Sequence, residues 1–408
     1  MLPPLKLVRR GLRRTTEALA DELARGQPGS RLPAWTDLEW RLATAVAVAH
    51  GVSPLLHRRS TWPKPAWRSF LAGQHAQVAL RHARIEALLR HIDHGARDVG
   101  LPVVPLKGSA LHALGLYAPG DRPMADIDLL VRDDDVVPAI ALLHELGYEE
   151  SFAQWKHRVF KPVDGRAFDG LGEHCDTPVN IELHTRIQER LPLSTVDITE
   201  RIFPRHPIAG LNAYPSNGAL MSHLLLHAAG NLCGRSMRLM HLNDVSLLAT
   251  RMVPGDWDAL WNDARAGSAW WAFPPLRLVA RYYAHAVPMT VLSRLEAECP
   301  PLLRALASRW TLTDVSCSDL WLRALPGIEW SQSISEAGRC VRNRFRPSTE
   351  NKRERADMVR TQVWLQGQSW VTQGHRRRML TWLTRPIPRM DTLYVVRAAL
   401  ASNVITSS

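Results

Sequence analysis

Two aspartates separated by a single residue, in the segment Asp126-Ile127-Asp128-Leu129-Leu130-Val131, form the most suggestive chemical feature of the chain. The segment has the composition of a strand, and alternate residues of a strand share a face. Asp126 and Asp128 therefore point one way, with Ile127 and Leu129 pointing the other. Carboxylates this close repel unless a cation lies between them. A hard dication such as Mg²⁺ takes carboxylate oxygens and keeps positions open for phosphate. Upstream, Lys107-Gly108-Ser109 falls between an apolar run and a helical stretch. Glycine lets backbone approach a phosphate closely, and the serine hydroxyl and the free amides of a helix start can bind phosphate oxygens. Arg122, four residues before Asp126, is a candidate to neutralise phosphate charge.

A third carboxylate comes from Val179-Asn180-Ile181-Glu182-Leu183-His184, where Asn180, Glu182 and His184 share the polar face of a second alternating segment. If this strand lies beside the first, Glu182 joins the two aspartates. Such a set can hold two Mg²⁺ ions, which clamp the attacking and leaving oxygens of a phosphoryl transfer. The third acid is also a candidate base for an acceptor hydroxyl. Each feature has a plain alternative: exposed acids on an edge strand, an ordinary turn, a solvated loop arginine, a surface glutamate. Their order and local context favour a joint site.

These residues need a small strand-and-helix unit to position them. Leu101 to Leu106 is predicted as a short buried strand that Pro102 and Pro105 confine to a sheet edge or an irregular path. Ala110 to Leu116 is predicted as a helix, Ala125 to Val131 as the aspartate strand, and Asp133-Asp134-Asp135 as the opening of a helix that Gly147 ends. The alternation of strands and helices indicates an α/β core over residues 99–215.

Flanking regions read as helical. In residues 1–98, a short basic helix is followed by a loop containing Gly26, Pro28, Gly29 and Pro33. Leu38, Leu42, Ala45, Val46 and Ala49 then recur at helical spacing up to a break at Gly51-Val52-Ser53-Pro54. Leu80, Ile85, Leu88, Leu89 and Ile92 mark another amphipathic helix, whose arginines and histidines are assigned to its solvated face. Residues 216–340 form a tryptophan-rich helical region in which most indoles belong to the core. His227 and Asp244 lie there on two helices, and a buried hydrogen bond between them is the favoured reading over contact with substrate. His223 and His227 have a metal-binding spacing, but no HExxH glutamate accompanies them.

The chain has 408 residues and a net charge of +12, which attracts anions such as nucleotides, nucleic acid or acidic lipid. Residues 341–408 hold 13 Lys and Arg against 4 Asp and Glu, so this basic, Trp-containing tail accounts for +9 of the +12. An anionic partner is one expectation for it. Docking on the body is favoured, because its tryptophans are costly to leave in water. Five scattered cysteines without CxxC spacing suggest neither a disulfide framework nor a zinc site, and a reducing cytoplasm fits best. No apolar run of about 18 residues predicts a spanning helix.

Taken together, Leu106-Lys107-Gly108-Ser109, Leu116-Tyr117, Arg122 with Asp126-Ile127-Asp128-Leu129-Leu130-Val131, Gly147-Tyr148 and Ile181-Glu182-Leu183-His184 resemble an uncharacterised bacterial nucleotidyltransferase family within the DNA polymerase β-like superfamily. The leader His50-Gly51-Val52-Ser53-Pro54-Leu55-Leu56 and the segment with His227 and Asp244 are similar too. The resemblance spans roughly residues 36–250. It implies an α+β fold with a small mixed sheet between helical regions, Mg²⁺ as cofactor and an NTP as donor. It also implies transfer of a nucleotidyl group to an acceptor hydroxyl, with Asp126, Asp128 and Glu182 at the metal and Lys107, Gly108, Ser109 and Arg122 at the nucleotide. One departure is the loop of sixteen residues between Ser109 and Asp126, longer than in many superfamily members. Two rival readings are a protein that keeps the fold without catalysis and a basic partner of nucleic acid. The acceptor, whether small molecule, saccharide, peptide or protein, is not specified by the sequence.

Overall fold

A computed structural model describes residues 2–25, 34–165, 170–261, 268–323, 325–368, 371 and 373–402. Eight strands occur among them: β1 (Pro102–Pro105), β2 (Asp126–Leu130), β3 (Tyr148–Ala153), β4 (His157–Pro162), β5 (Asn180–His184), β6 (Gln188–Arg190), β7 (Thr195–Asp197) and β8 (Gly210–Leu211). Six of them build one mixed sheet in the order β3-β4-β5-β2-β1-β8, while β6 and β7 form a separate ribbon. The fold is α+β, as the resemblance implied.

The two faces of the sheet have different fates, and the period-2 pattern decides which is which. Ile127, Leu129 and Val131 of the β2 segment join Val103, Phe160, Ile181 and Leu183 in one apolar cluster. Ile85 and Ile92 of the long helix Pro65–Asp98 and Leu142 and Leu143 of the helix Val136–Glu145 cover that face. Each fully buried Ile or Leu contributes roughly 1.5–3 kcal/mol. The opposite face carries Asp126, Asp128, Glu182 and His184.

β1 is not an edge strand. It pairs antiparallel with β2 through Val104↔Leu130 and parallel with β8 through Pro102↔Gly210. Proline lacks only the donor, and β8 uses acceptors: Gly210 N–H donates to Leu101 C=O at 2.9 Å and Asn212 N–H to Val103 C=O at 2.7 Å. The prolines therefore sit inside the sheet without a lost bond.

Other expectations shift in extent. The N-terminal helix is long, Leu5–Arg25, and the loop assigned to Gly26–Pro33 lies outside the described residues. The helix Asp37–Ala49 starts on a capping box between Thr36 and Glu39. After Gly51 (φ 68°), the helix Ser53–Arg59 begins at once. The amphipathic segment around residues 80–92 is part of the 34-residue helix Pro65–Asp98. Arg81 and His82 on it are buried, contrary to the solvated face expected of them. Arg81 falls four residues before Ile85, on the apolar stripe, and bonds backbone carbonyls there.

The larger apolar core combines Leu12 and Leu42 from the N-terminal helices, Val104, Leu106 and Leu130 from the sheet, and Leu224 and Leu225 of the helix Asn217–Gly234. Met390, Leu393, Val396 and Ala399 of the last helix, Met390–Ala401, belong to the same core. Arg41 holds that helix end by donating to Leu400 C=O at 2.9 Å. Among the described residues, no helix is long and apolar enough to cross a membrane, and all five cysteines are free.

Candidate active site

β2 and β5 run parallel and in register, with Asp126 opposite Asn180 and Asp128 opposite Glu182. Directly paired residues share a face, so all three acids lie on the side of the sheet away from the Pro65–Asp98 helix. Arg81 fixes the entry of both strands. Its guanidinium donates to Met124 C=O and Ala125 C=O, both at 2.9 Å, and to Pro178 C=O at 3.2 Å.

Lys107 and His184 converge on Asp128. Lys107 Nζ is 2.8 Å and His184 Nε2 is 3.1 Å from the same oxygen, Oδ1. Burial would raise the Asp128 carboxyl, but the Lys107 charge and the His184 hydrogen bond outweigh it and hold the pKa well below the usual range. Among the described residues Asp126 has no such partner. Burial first, then the charges of Asp128 and Glu182, push its pKa up to about 7. Burial alone would lower the Lys107 pKa, yet Asp128, Glu182 and Asp126 keep it above the ordinary ammonium value. Two neighbouring carboxylates thus differ because only one is neutralised.

Lys107 also carries an uncommon backbone conformation, φ 46° and ψ −110°, at the junction between β1 and the helix Gly108–Ala113. Its N–H donates to Tyr214 Oη at 3.3 Å, and that hydroxyl lies 2.7 Å from His223 Nδ1. The next residue, Gly108, is packed so closely that a Cβ would stand 2.4 Å from Arg122 Nη1 and 2.8 Å from Met124 Sδ. The Ser109 hydroxyl is buried and has no hydrogen-bond partner. A buried hydroxyl is ordinarily satisfied, so this one fits a ligand oxygen.

Arg122 is placed differently from the free phosphate cation expected of it. It is buried, and Nε and Nη2 each donate to Asp244 at 2.8 Å. Tyr117 Oη donates to Asp244 at 2.7 Å and accepts from Asn243 Nδ2 at 2.7 Å. The expected His227–Asp244 bond is therefore absent, because Asp244 is taken by the nearer and permanently charged Arg122. His227 instead packs edge-on against the His241 ring, 5.1 Å between centroids.

A cavity of about 100 Å³ opens beside the acids, lined by Lys107, Lys156, His157, Glu182, His184, Glu189, His223 and His227 among others. Glu182 Oε2 lies 3.6 Å from both His157 Nδ1 and His184 Nε2. The sequence places His184 on the polar face of its strand but assigns no site role to His157, Arg81 or Tyr214. Arg81 alone left a signal, a charged residue in the apolar register of its helix. His157 is brought in by strand pairing, and Tyr214 by the segment between β8 and the helix Asn217–Gly234.

Asp126 and Asp128 fit a divalent cation: both are hard oxygen donors on one face, Asp126 has no paired cation among the described residues, and the Lys107 ammonium stands in as the cation on Asp128. No curated protein and no solved structure matches the chain. A family model described as an uncharacterised nucleotidyltransferase matches residues 36–286, which include every residue of the site and the helices behind it. By that match, the chain belongs to the uncharacterised nucleotidyltransferase family.

Proposed function

We propose that the chain moves a nucleotidyl group from an NTP to an acceptor hydroxyl, with release of pyrophosphate, and that it requires Mg²⁺. The observation that carries this reading is the parallel register of β2 and β5, with Asp126 and Asp128 on one strand and Glu182 opposite Asp128 on the next. Bound at Asp126 and Asp128, Mg²⁺ would neutralise phosphate charge at the transferring group. Glu182 completes the acid set. Ser109 offers its unpaired hydroxyl to a phosphate oxygen, Gly108 lets Arg122 and Met124 pack against the turn that presents it, and the Lys107 ammonium draws triphosphate charge toward the acids. Arg122 supports Gly108 from behind through its pair with Asp244. The acceptor enters from the cavity of Glu182, His184 and His227.

The C-terminal region adds a proposed contact for an anionic partner. Arg344, Lys352, Arg355 and Arg378 line a cleft of about 690 Å³ together with Met358 and Trp382. Among the described residues none of these four cations is paired with a carboxylate. Buried or half-buried guanidinium groups without counter-charge favour an anion.

The nucleotide reading is tested by calorimetric titration of each NTP with Mg²⁺ into the full chain and into Asp126→Asn and Asp128→Asn. Saturable binding of at least one NTP that both substitutions abolish is expected. Equal affinity in all three proteins would remove the acids from the nucleotide site.

A further inference from the structure

We propose that His157, Glu182 and His184 form a second cation site beside Asp126 and Asp128, sharing Glu182 with the acid set and built for a borderline transition-metal dication of the Zn²⁺ type rather than for Mg²⁺. Two antiparallel neighbours and one strand position create it. His157 on β4 is the register partner of His184 on β5, and Glu182 lies two residues before His184 on the same face. Glu182 Oε2 is 3.6 Å from each imidazole nitrogen, and the three donor atoms all lie within 4.8 Å of one another. For bonds of about 2.0–2.1 Å to nitrogen and oxygen, tetrahedral ligands stand about 3.4 Å apart. The two edges at Glu182 need only a small contraction around an ion, and the imidazole edge lies within 4.8 Å.

The chemistry of the donors points the same way. Two imidazoles and one carboxylate suit Zn²⁺ and related ions, whereas Mg²⁺ takes oxygen and water. His157 Nδ1 is buried and makes no hydrogen bond. His184 Nε2 also stands 3.1 Å from Asp128 Oδ1, a hydrogen bond that a bound dication would replace; with Lys107 on Asp128, Glu182 faces both rings without a Lys or Arg partner among the described residues. Three protein ligands leave a fourth position open toward the cavity that Lys107, His223 and His227 also line. The use of this ion in catalysis rests on the nucleotidyl-transfer reading, whereas its binding does not.

The probe is Co²⁺, which replaces Zn²⁺ and reports its ligands in the visible spectrum. Cys175→Ser serves as the parent protein, because His174, Cys175 and Asp176 also bring donor atoms within 4.8 Å of one another and would compete. Titration should give one equivalent of Co²⁺ with intense tetrahedral bands that millimolar Mg²⁺ leaves in place. Loss of an outer-shell partner costs about 10–100-fold in metal affinity. Loss of a ligand in His157→Ala or His184→Ala should therefore weaken Co²⁺ by at least about 100-fold, while Asp126→Asn leaves it unchanged. His157 is partly exposed, so His157→Ala carries the test if the buried His184 variant fails to fold. Co²⁺ affinity unaffected by His157→Ala, or Co²⁺ displaced by Mg²⁺ and lost in Asp126→Asn, would overturn the proposal. A protein that holds Co²⁺ as described but binds no NTP with Mg²⁺ would overturn the nucleotidyl-transfer reading and leave this site standing.

Discussion

Arg122 and Asp244 form a two-armed ion pair, 2.8 Å on each arm, that ties the loop preceding β2 to the helix Leu239–Ala249. Both side chains are buried. Removing one partner of a buried pair leaves an uncompensated charge and costs about 3–5 kcal/mol. Asp244→Ala and Arg122→Ala should each lose about that much in urea denaturation, and the double variant should lose less than the sum of the two. Additive losses would mean that the pair does not couple the loop to the helix.

Because Asp244 fixes Arg122, the guanidinium cannot retreat from Gly108. A methyl group at that position would meet Arg122 Nη1 at 2.4 Å. Gly108→Ala should therefore lower stability by about 1–3 kcal/mol, the usual cost of overpacking, and weaken NTP binding together with it. Thermal denaturation and calorimetry check both. A Gly108→Ala protein with unchanged melting and unchanged NTP affinity would show that the turn yields.

Asp126 gives a pH dependence with a definite sign. Its carboxyl is pushed up to about 7 by burial and by Asp128 and Glu182, from an ordinary value of 3.8. The unfolded chain releases this proton first, so between pH 4 and 7 the folded state holds more protons than the unfolded state. This group's contribution to stability is then greatest at low pH and is lost as pH rises through 7, with a slope of up to about 1.4 kcal/mol per pH unit. In chelator, Asp126→Asn should be more stable than the parent at pH 8 and equal to it at pH 4, and Mg²⁺ should stabilise only the parent. Parallel stability curves for the two proteins would show that burial and the neighbouring carboxylates do not raise Asp126 as argued.

The last helix joins the core through Leu393 and Val396 against the helix Asp37–Ala49. Leu393→Ala should lower stability by about 2–5 kcal/mol, the range for a core leucine, with NTP affinity retained at low temperature. The neighbouring cleft should behave differently. Arg355, pushed down to about 10 by burial and by Arg378, has no carboxylate partner among the described residues. Arg355→Ala with Arg378→Ala should leave melting unchanged or raise it, while reducing binding of a single-stranded RNA probe and flattening its dependence on salt. Retained RNA binding with the same salt slope would exclude the cleft as the anion contact.

How far the sequence reached is clearest at the acids. The one-residue spacing of Asp126 and Asp128 put both on one face, since strand periodicity is a local property of the backbone. The same rule gave the polar face of Asn180, Glu182 and His184, whereas Gly108 and Ser109, expected as a turn ahead of the helix, are its first residues. Register was beyond local rules: Glu182 meets Asp128 only because β5 pairs with β2 at that offset. His157 reaches the site through a third strand, and Tyr214 and His223 reach it through segments about a hundred residues away. Arg122 shows the limit most plainly. Its charge and position suited a phosphate as well as a carboxylate, and the sequence determined only that it would seek an anion. Tertiary packing brought Asp244 within 2.8 Å, and a buried cation takes the partner that is always present.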